Sequence, residues 1–179
     1  MNPEEIINKY YVTGSPLWVT LTEHSKAVRD KALQIIAQHP ELGADATFVS
    51  EASMLHDIGI YLTNAPDLYC VGDMPYICHG YLGRELLEKE GYPLHALICE
   101  RHTGTGLSMA TILNQNLPIP HRDMLPTSIE EQIICFADKF YSKSHALTKP
   151  KTVKKIIKSM AKHGEDQVIR FRSWCEMFL

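Results

Sequence analysis

The stretch Met54-Leu55-His56-Asp57-Ile58-Gly59 constrains this chain more than any other. It places a histidine and an aspartate side by side, after an apolar run and before a glycine. A carboxylate taken out of water needs a partner, because a lone buried charge is strongly unfavourable. A divalent cation satisfies both side chains at once. Histidine with aspartate suits Fe, Mn, Zn, Ni or Co better than Ca or Mg, which take all-oxygen shells. The doublet also fits a helix C-terminus, with the histidine favoured by the dipole and Gly59 as the C′ residue. The rest of the chain decides between the two.

Helical periodicity runs through most of the sequence. A short helix is expected over 3–10, broken by Gly14-Ser15-Pro16, and a long one from Leu17 to Gln38, ended by His39-Pro40. On the long helix Leu21, Val28, Ala32 and Ile35 share one face, and His24 shares it with them. A helix over about 46–57, with Asp45 as its N-cap, carries Phe48, Val49, Ala52 and Leu55 inward and ends on His56-Asp57. Residues 60–75 read as a loop. A helix beginning near Tyr76 holds His79 in its first turn, and another over about 93–102 ends on His102. Residues 103–126 are irregular, with one short helix over 108–115; such long connections often serve as lids or binding loops. Thr127-Ser128-Ile129-Glu130 reads as a capping box. It opens a helix on which Asp138 shares the apolar side of Ile134 and Tyr141. Helices at about 150–162 and 165–177 complete an all-α reading, with no strand expected.

The length of 179 residues fits one domain over 1–179, with a core about 17–145 and basic helices about 150–177. Residues 1–138 carry 8 Lys/Arg against 18 Asp/Glu, whereas residues 139–179 carry 10 against 3. A basic tail of this kind is most often a solvated helix face, so nucleic acid is not the expected partner. The five cysteines form no CxxC pair, which fits reduced thiols in a cytoplasmic protein. Cys99 and Cys135 precede His102 and Asp138 by three residues and read as small core residues. The acidic N-terminus is no signal peptide, no apolar run reaches the length of a membrane span, and no membrane association is expected.

Five places then stand out: His24, His56-Asp57, His79, His102 and Asp138. Each falls on a different helix, at an inward or terminal position. Side chains so placed can converge in a helical bundle. Six groups exceed one tetrahedral zinc and suit two octahedral ions sharing a carboxylate. The order H…HD…H…H…D, with Leu55-His56-Asp57-Ile58-Gly59, resembles the HD-domain superfamily of metal-dependent phosphohydrolases. Arg101-His102-Thr103-Gly104-Thr105-Gly106-Leu107 and Ala137-Asp138-Lys139 resemble segments of small stand-alone prokaryotic members.

The resemblance implies a helical bundle with the metal centre between its helices. It implies His24, His56, Asp57 and Asp138 around one metal, and His79 and His102, with Asp57 bridging, around a second. Two divalent transition-metal ions are expected, Fe foremost and then Mn, Ni, Co or Zn. Asp57, His79 and His102 are the expected catalytic residues. One departure matters: many relatives carry a basic residue directly after this motif, where the present chain has Ile60. The anion contact is therefore sought in Lys139, Arg101 and the Gly104 backbone.

The expected chemistry is hydrolysis of a phosphate ester or anhydride in a small nucleotide-like substrate, by water made acidic between two cations. Two other functions fit the same residues, a di-iron oxygenase and a non-catalytic nucleotide sensor. A homodimer is compatible with the sequence. His39, His95, His121, His145 and His163 are expected at the surface, with His121 the one among them nearest to a substrate role.

Overall fold

The structure is a computed structural model that describes residues 1–144 and 149–179. Nine α-helices appear among these residues: α1 Pro3–Tyr10, α2 Pro16–Gln38, α3 Ala46–Leu55, α4 His79–Lys89, α5 Pro93–Arg101, α6 Met109–Asn114, α7 Ile129–Asp138, α8 Val153–Met160 and α9 Glu165–Phe178. The all-α expectation holds for the body of the protein. No helix among the described residues is long and apolar enough to cross a membrane.

Local chemistry sets the helix starts. Asn2, Ser15, Asp45, Ser108, Ser128 and Thr152 each accept a backbone N–H of the first turn that follows. Such a cap satisfies a donor that the helix itself leaves free. The box expected at Thr127–Glu130 is shifted by one residue. Ser128 is the cap, accepting Glu131 N–H, and the Glu131 carboxylate accepts Thr127 N–H at 2.6 Å. Glu131, not Glu130, is the buried member of the pair, and its carboxylate requires those donors.

The segment expected as a plain loop over 60–75 holds structure. A 3₁₀ turn at Ile58–Leu62 leads into a small sheet of β1 Thr63–Ala65, β2 Cys70–Val71 and β3 Met74–Pro75, in the order β2-β1-β3. β1 pairs antiparallel with β2 and parallel with β3. Strands this short carry no legible two-residue alternation, which is why the sequence did not announce them.

Three apolar clusters fill the interior. One joins Val28, Ala52, Ile98 and Ile134 to Phe136, Phe171 and Phe178, so α9 packs on the same core as α7. A second gathers Ile7, Leu21, Leu55, Ile58 and Cys99. A third lies beneath the 103–126 segment, around Leu107, Ile112 and Met124. Single helices feed both of the first two clusters: Leu21 and Val28 on α2, Leu55 and Ala52 on α3, Cys99 and Ile98 on α5. His24, His56 and His102 stand at this seam.

The 103–126 segment is fastened at several points. Leu107 and Met124 exchange backbone hydrogen bonds, and Gln167 accepts Thr105 N–H while donating to the Gly106 carbonyl. The buried Glu100 carboxylate bonds both Arg84 and Arg122, the latter at 2.5 and 2.9 Å.

Candidate metal centre

The six side chains singled out from the sequence converge. His24, His56, Asp57 and Asp138 offer ligand atoms to one common point, and Asp57, His79 and His102 to another, all of them buried. The Asp57 carboxylate is the shared member, and its two oxygens face different ways. Oδ2 lies 3.0 Å from His56 Nε2 and 3.3 Å from His24 Nε2; Oδ1 lies 3.2 Å from His102 Nε2 and 3.5 Å from His79 Nε2. Asp138 Oδ1 closes the first group at 2.9 Å from His24 Nε2 and 3.6 Å from His56 Nε2. His79 Nε2 and His102 Nε2 are 3.1 Å apart in the second.

Backbone carbonyls orient three of the imidazoles by one device. The Nδ1–H of His56 donates to Ser53 O at 2.7 Å, that of His79 to Tyr76 O at 2.6 Å, and that of His102 to Cys99 O at 2.8 Å. In each pair the acceptor lies three residues earlier. A proton fixed on Nδ1 turns the Nε2 lone pair toward the common centre, the arrangement that metal-binding histidines use.

Gly59 has a different part from the helix-ending one first considered. It is not among the glycines with positive φ. A methyl group there would run into the His79 carbonyl oxygen and the Gly83 backbone. The bare Cα lets α4 approach the Asp57 turn closely enough to present His79.

Electrostatics fit a cation. His56 Nε2 and both Asp57 oxygens are buried with no hydrogen bond of good geometry among the described residues. Polar atoms rarely stay in that state unless something else meets them. Burial alone would raise the Asp57 carboxyl, but His56 and Lys143 outweigh it and hold it well below the usual range. Asp138 is likewise held low against burial, chiefly by Lys139 and Lys143. Burial and the neighbouring His102 push His79 down to about 3, and burial also lowers His102. Both therefore offer neutral imidazole at neutral pH, the form that binds metal. Burial opposes the charged form of His56, yet Asp57 and Asp138 raise it to about 9.

The expected substrate contacts divide. Lys139 is at the centre, with Nζ 2.7 Å from Asp138 Oδ2 and 3.0 Å from the His102 carbonyl. Gly104, at φ +61°, lines a cavity of about 390 Å³ beside Asp138 and Lys139. Arg101, also expected as a substrate contact, is placed elsewhere. Its guanidinium is held by the Glu131 carboxylate at 2.8 and 2.9 Å and by Thr127 Oγ1, and it does not line that cavity. The buried Glu131 requires this counter-charge, so Arg101 serves the helix start and not the rim.

Three residues escaped the sequence reading. Lys143 reaches inward to 2.8 Å from Asp57 Oδ2, where that carboxylate raises its ammonium well above the ordinary value in spite of burial. Lys151 and His163 line the same cavity. Lys143 lies five residues past Asp138 and beyond the end of α7, where no helical spacing marks it. His163 is exposed between α8 and α9, and its role shows only once those helices are placed. His121 is exposed on the long segment and lines no part of the cavity; His145 lies outside the described residues. Ile60, directly after the motif, is fully buried in the second cluster. Cys99 and Cys135 are buried thiols; burial pushes Cys135 up to about 12 and Cys99 well above its ordinary value, which disfavours the thiolate.

A mainly helical protein with two His/Asp clusters that share one aspartate has the ligand arrangement found in helical metal-binding folds. The HD-domain profile matches residues 21–143, and the chain belongs to the HD-domain family, which is generally one of metal-dependent phosphohydrolases. It is 30% identical over 146 residues to an uncharacterised protein of Methanocaldococcus jannaschii, covering 80% of this chain and 79% of that one. It is 34% identical over 99 residues to a tRNA (cytidine(56)-2′-O)-methyltransferase of Picrophilus torridus, covering 55% of this chain and 25% of the relative. The same-named protein of Thermoplasma volcanium is 28% identical over 123 residues, covering 68% and 32%. The chain thus spans only a quarter to a third of those two relatives. No solved structure matches it.

Proposed function

We propose that this protein is a two-metal phosphohydrolase that cleaves a phosphate ester or anhydride of a small nucleotide-like substrate. The observation that carries the reading is the divided Asp57 carboxylate, with one oxygen toward His24 and His56 and the other toward His79 and His102. The donor set fits divalent transition metals, with Fe, Mn, Ni, Co and Zn as the candidates. His24, His56, Asp57 and Asp138 would hold one ion. His79 and His102, together with Asp57, would hold the second. When bound, such a pair polarises phosphoryl oxygens and makes water a nucleophile at neutral pH.

The chain's own residues supply the remainder. Carbonyl-fixed Nδ1 protons keep three imidazoles aimed without reorganisation, which is where electrostatic catalysis gains its advantage. Lys139 and Lys143 stand at the mouth as ammonium groups able to meet phosphate oxygens. Lys143, beyond the end of α7, reaches Asp57 and supplies a cationic group that Ile60 does not.

Methyl transfer is not carried over from the two methyltransferase relatives, because the chain spans so little of them. Their names are a reason to include RNA-derived nucleotides among the substrates tried. The test is phosphate release from a panel of nucleotides and dinucleoside polyphosphates by Mn-, Co-, Ni- or Fe-loaded protein. Nucleotide binding without turnover would favour a sensor, and oxygen consumption by a mixed-valent iron pair would favour an oxygenase.

A further inference from the structure

Beside the cationic cavity lies a second one of different character. It measures about 310 Å³, at the small end of the range for ligand sites. Ile77, Leu107, Leu117 and Met160 form its walls, while Thr103 and His163 bring polar groups to its edge. The two cavities share Gly104, Met160 and His163 as lining residues, so they lie side by side. Gly104 is the threshold between them. A Cβ there would strike the Gln167 amide, which is already committed to Thr105 and Gly106.

This slot does not suit a phosphate, because its walls offer no charge to offset one. The neighbouring cavity, with Lys139, Lys143 and Lys151, does suit one. The slot is apolar on its walls and polar at its edge, where Thr103 and the exposed His163 lie; among the described residues no hydrogen bond engages the His163 ring. A flat heteroaromatic ring satisfies both demands, with apolar faces against the walls and polar edges toward Thr103 and His163. Gln115 Nε2 donates to the His163 carbonyl at 3.2 Å and so ties the end of α6 to the α8–α9 turn across the slot.

We infer that the slot bounded by Ile77, Leu107, Leu117 and Met160 seats the nucleobase of the substrate, whose phosphate then lies across Gly104 over Asp138 and Lys143. The inference rests on the phosphohydrolase reading and extends it by naming the residues that select the organic half of the substrate.

The experiment is calorimetric titration of metal-loaded protein with AMP, UMP, phenyl phosphate and inorganic phosphate, for wild type, Leu117→Trp and Ile77→Trp. Two variants are used because they approach the slot from separate segments, so one folding failure leaves the other to report. The expected result is a loss of about tenfold or more in nucleoside monophosphate affinity. Inorganic phosphate affinity and metal content should stay within twofold of wild type. Equal losses for nucleotide and inorganic phosphate, or none for either, would overturn the slot. Phenyl phosphate binding as tightly as AMP, with the same dependence on Leu117, would overturn the nucleobase assignment. Failure of the phosphohydrolase reading looks different: wild type would release no phosphate from any compound tried, whatever the variants do.

Discussion

The Lys143 ammonium stands 2.8 Å from Asp57 Oδ2, the same oxygen that His24 and His56 approach. A lysine in contact with a buried aspartate is ordinarily a structural ion pair. Here the aspartate is also the hinge of two metal-type clusters, which places the lysine where an anionic substrate would arrive. Lys143→Met is predicted to keep its metal and to lose about tenfold or more in kcat/KM, since an ammonium–phosphate contact is a charge-assisted hydrogen bond. Elemental analysis beside steady-state kinetics checks this. Loss of the metal together with activity would make Lys143 a structural partner of Asp57.

Gly59→Ala addresses how the second cluster is positioned. The added methyl has backbone on its far side, the His79 carbonyl and Gly83, and neither can swing away as a side chain would. The predicted cost is about 1–3 kcal/mol of stability, from overpacking. The predicted functional signature is selective, with metal lost at the His79–His102 side first. Thermal melting and metal content of the same sample read both effects.

How much of this was legible in the sequence depends on the kind of signal. The six convergent residues were legible because each puts a group that cannot be buried alone on an apolar helical stripe, as His24 and Asp138 do, or at a helix end, as His56, Asp57, His79 and His102 do. Two helix starts were legible from their capping residues, Asp45 and, with a one-residue slip, Ser128–Glu131. Lys143 was not, because it lies beyond α7 and belongs to no periodic pattern. The pairing of Arg101 with Glu131 was hidden too, since it joins α5 to α7 across 30 residues. The three short strands needed partners that only the folded turn after Ile58 provides. His163 looked like a surface residue because it is one; the cavity beside it is made by α6, α8 and the 103–126 segment together.

Acid stability has a specific contributor away from the centre. Lys9 and the Tyr10 hydroxyl both bond the Glu90 carboxylate, Tyr10 and Lys9 each at 2.5 Å, fastening α1 to the end of α4. The Lys9 hydrogen bond foremost, and then Tyr10, holds the Glu90 carboxyl below its ordinary value. A carboxyl depressed in the folded state adds stability above its unfolded pKa and loses it as pH falls through the folded value. Glu90→Gln is therefore predicted to lower Tm at pH 7 and to lower it less near pH 3. Melting curves at the two pH values decide, and an equal loss at both would show that the carboxylate charge plays no part.

The central claim is that one carboxylate, Asp57, holds two metal ions in common. Metal content per chain in purified wild type, His102→Ala and Asp57→Ala, with helicity confirmed by circular dichroism, tests it most directly. The account predicts about two, one and none, because His102 belongs to one cluster and Asp57 to both. A single ion in the wild type, or undiminished metal in folded Asp57→Ala, would contradict it.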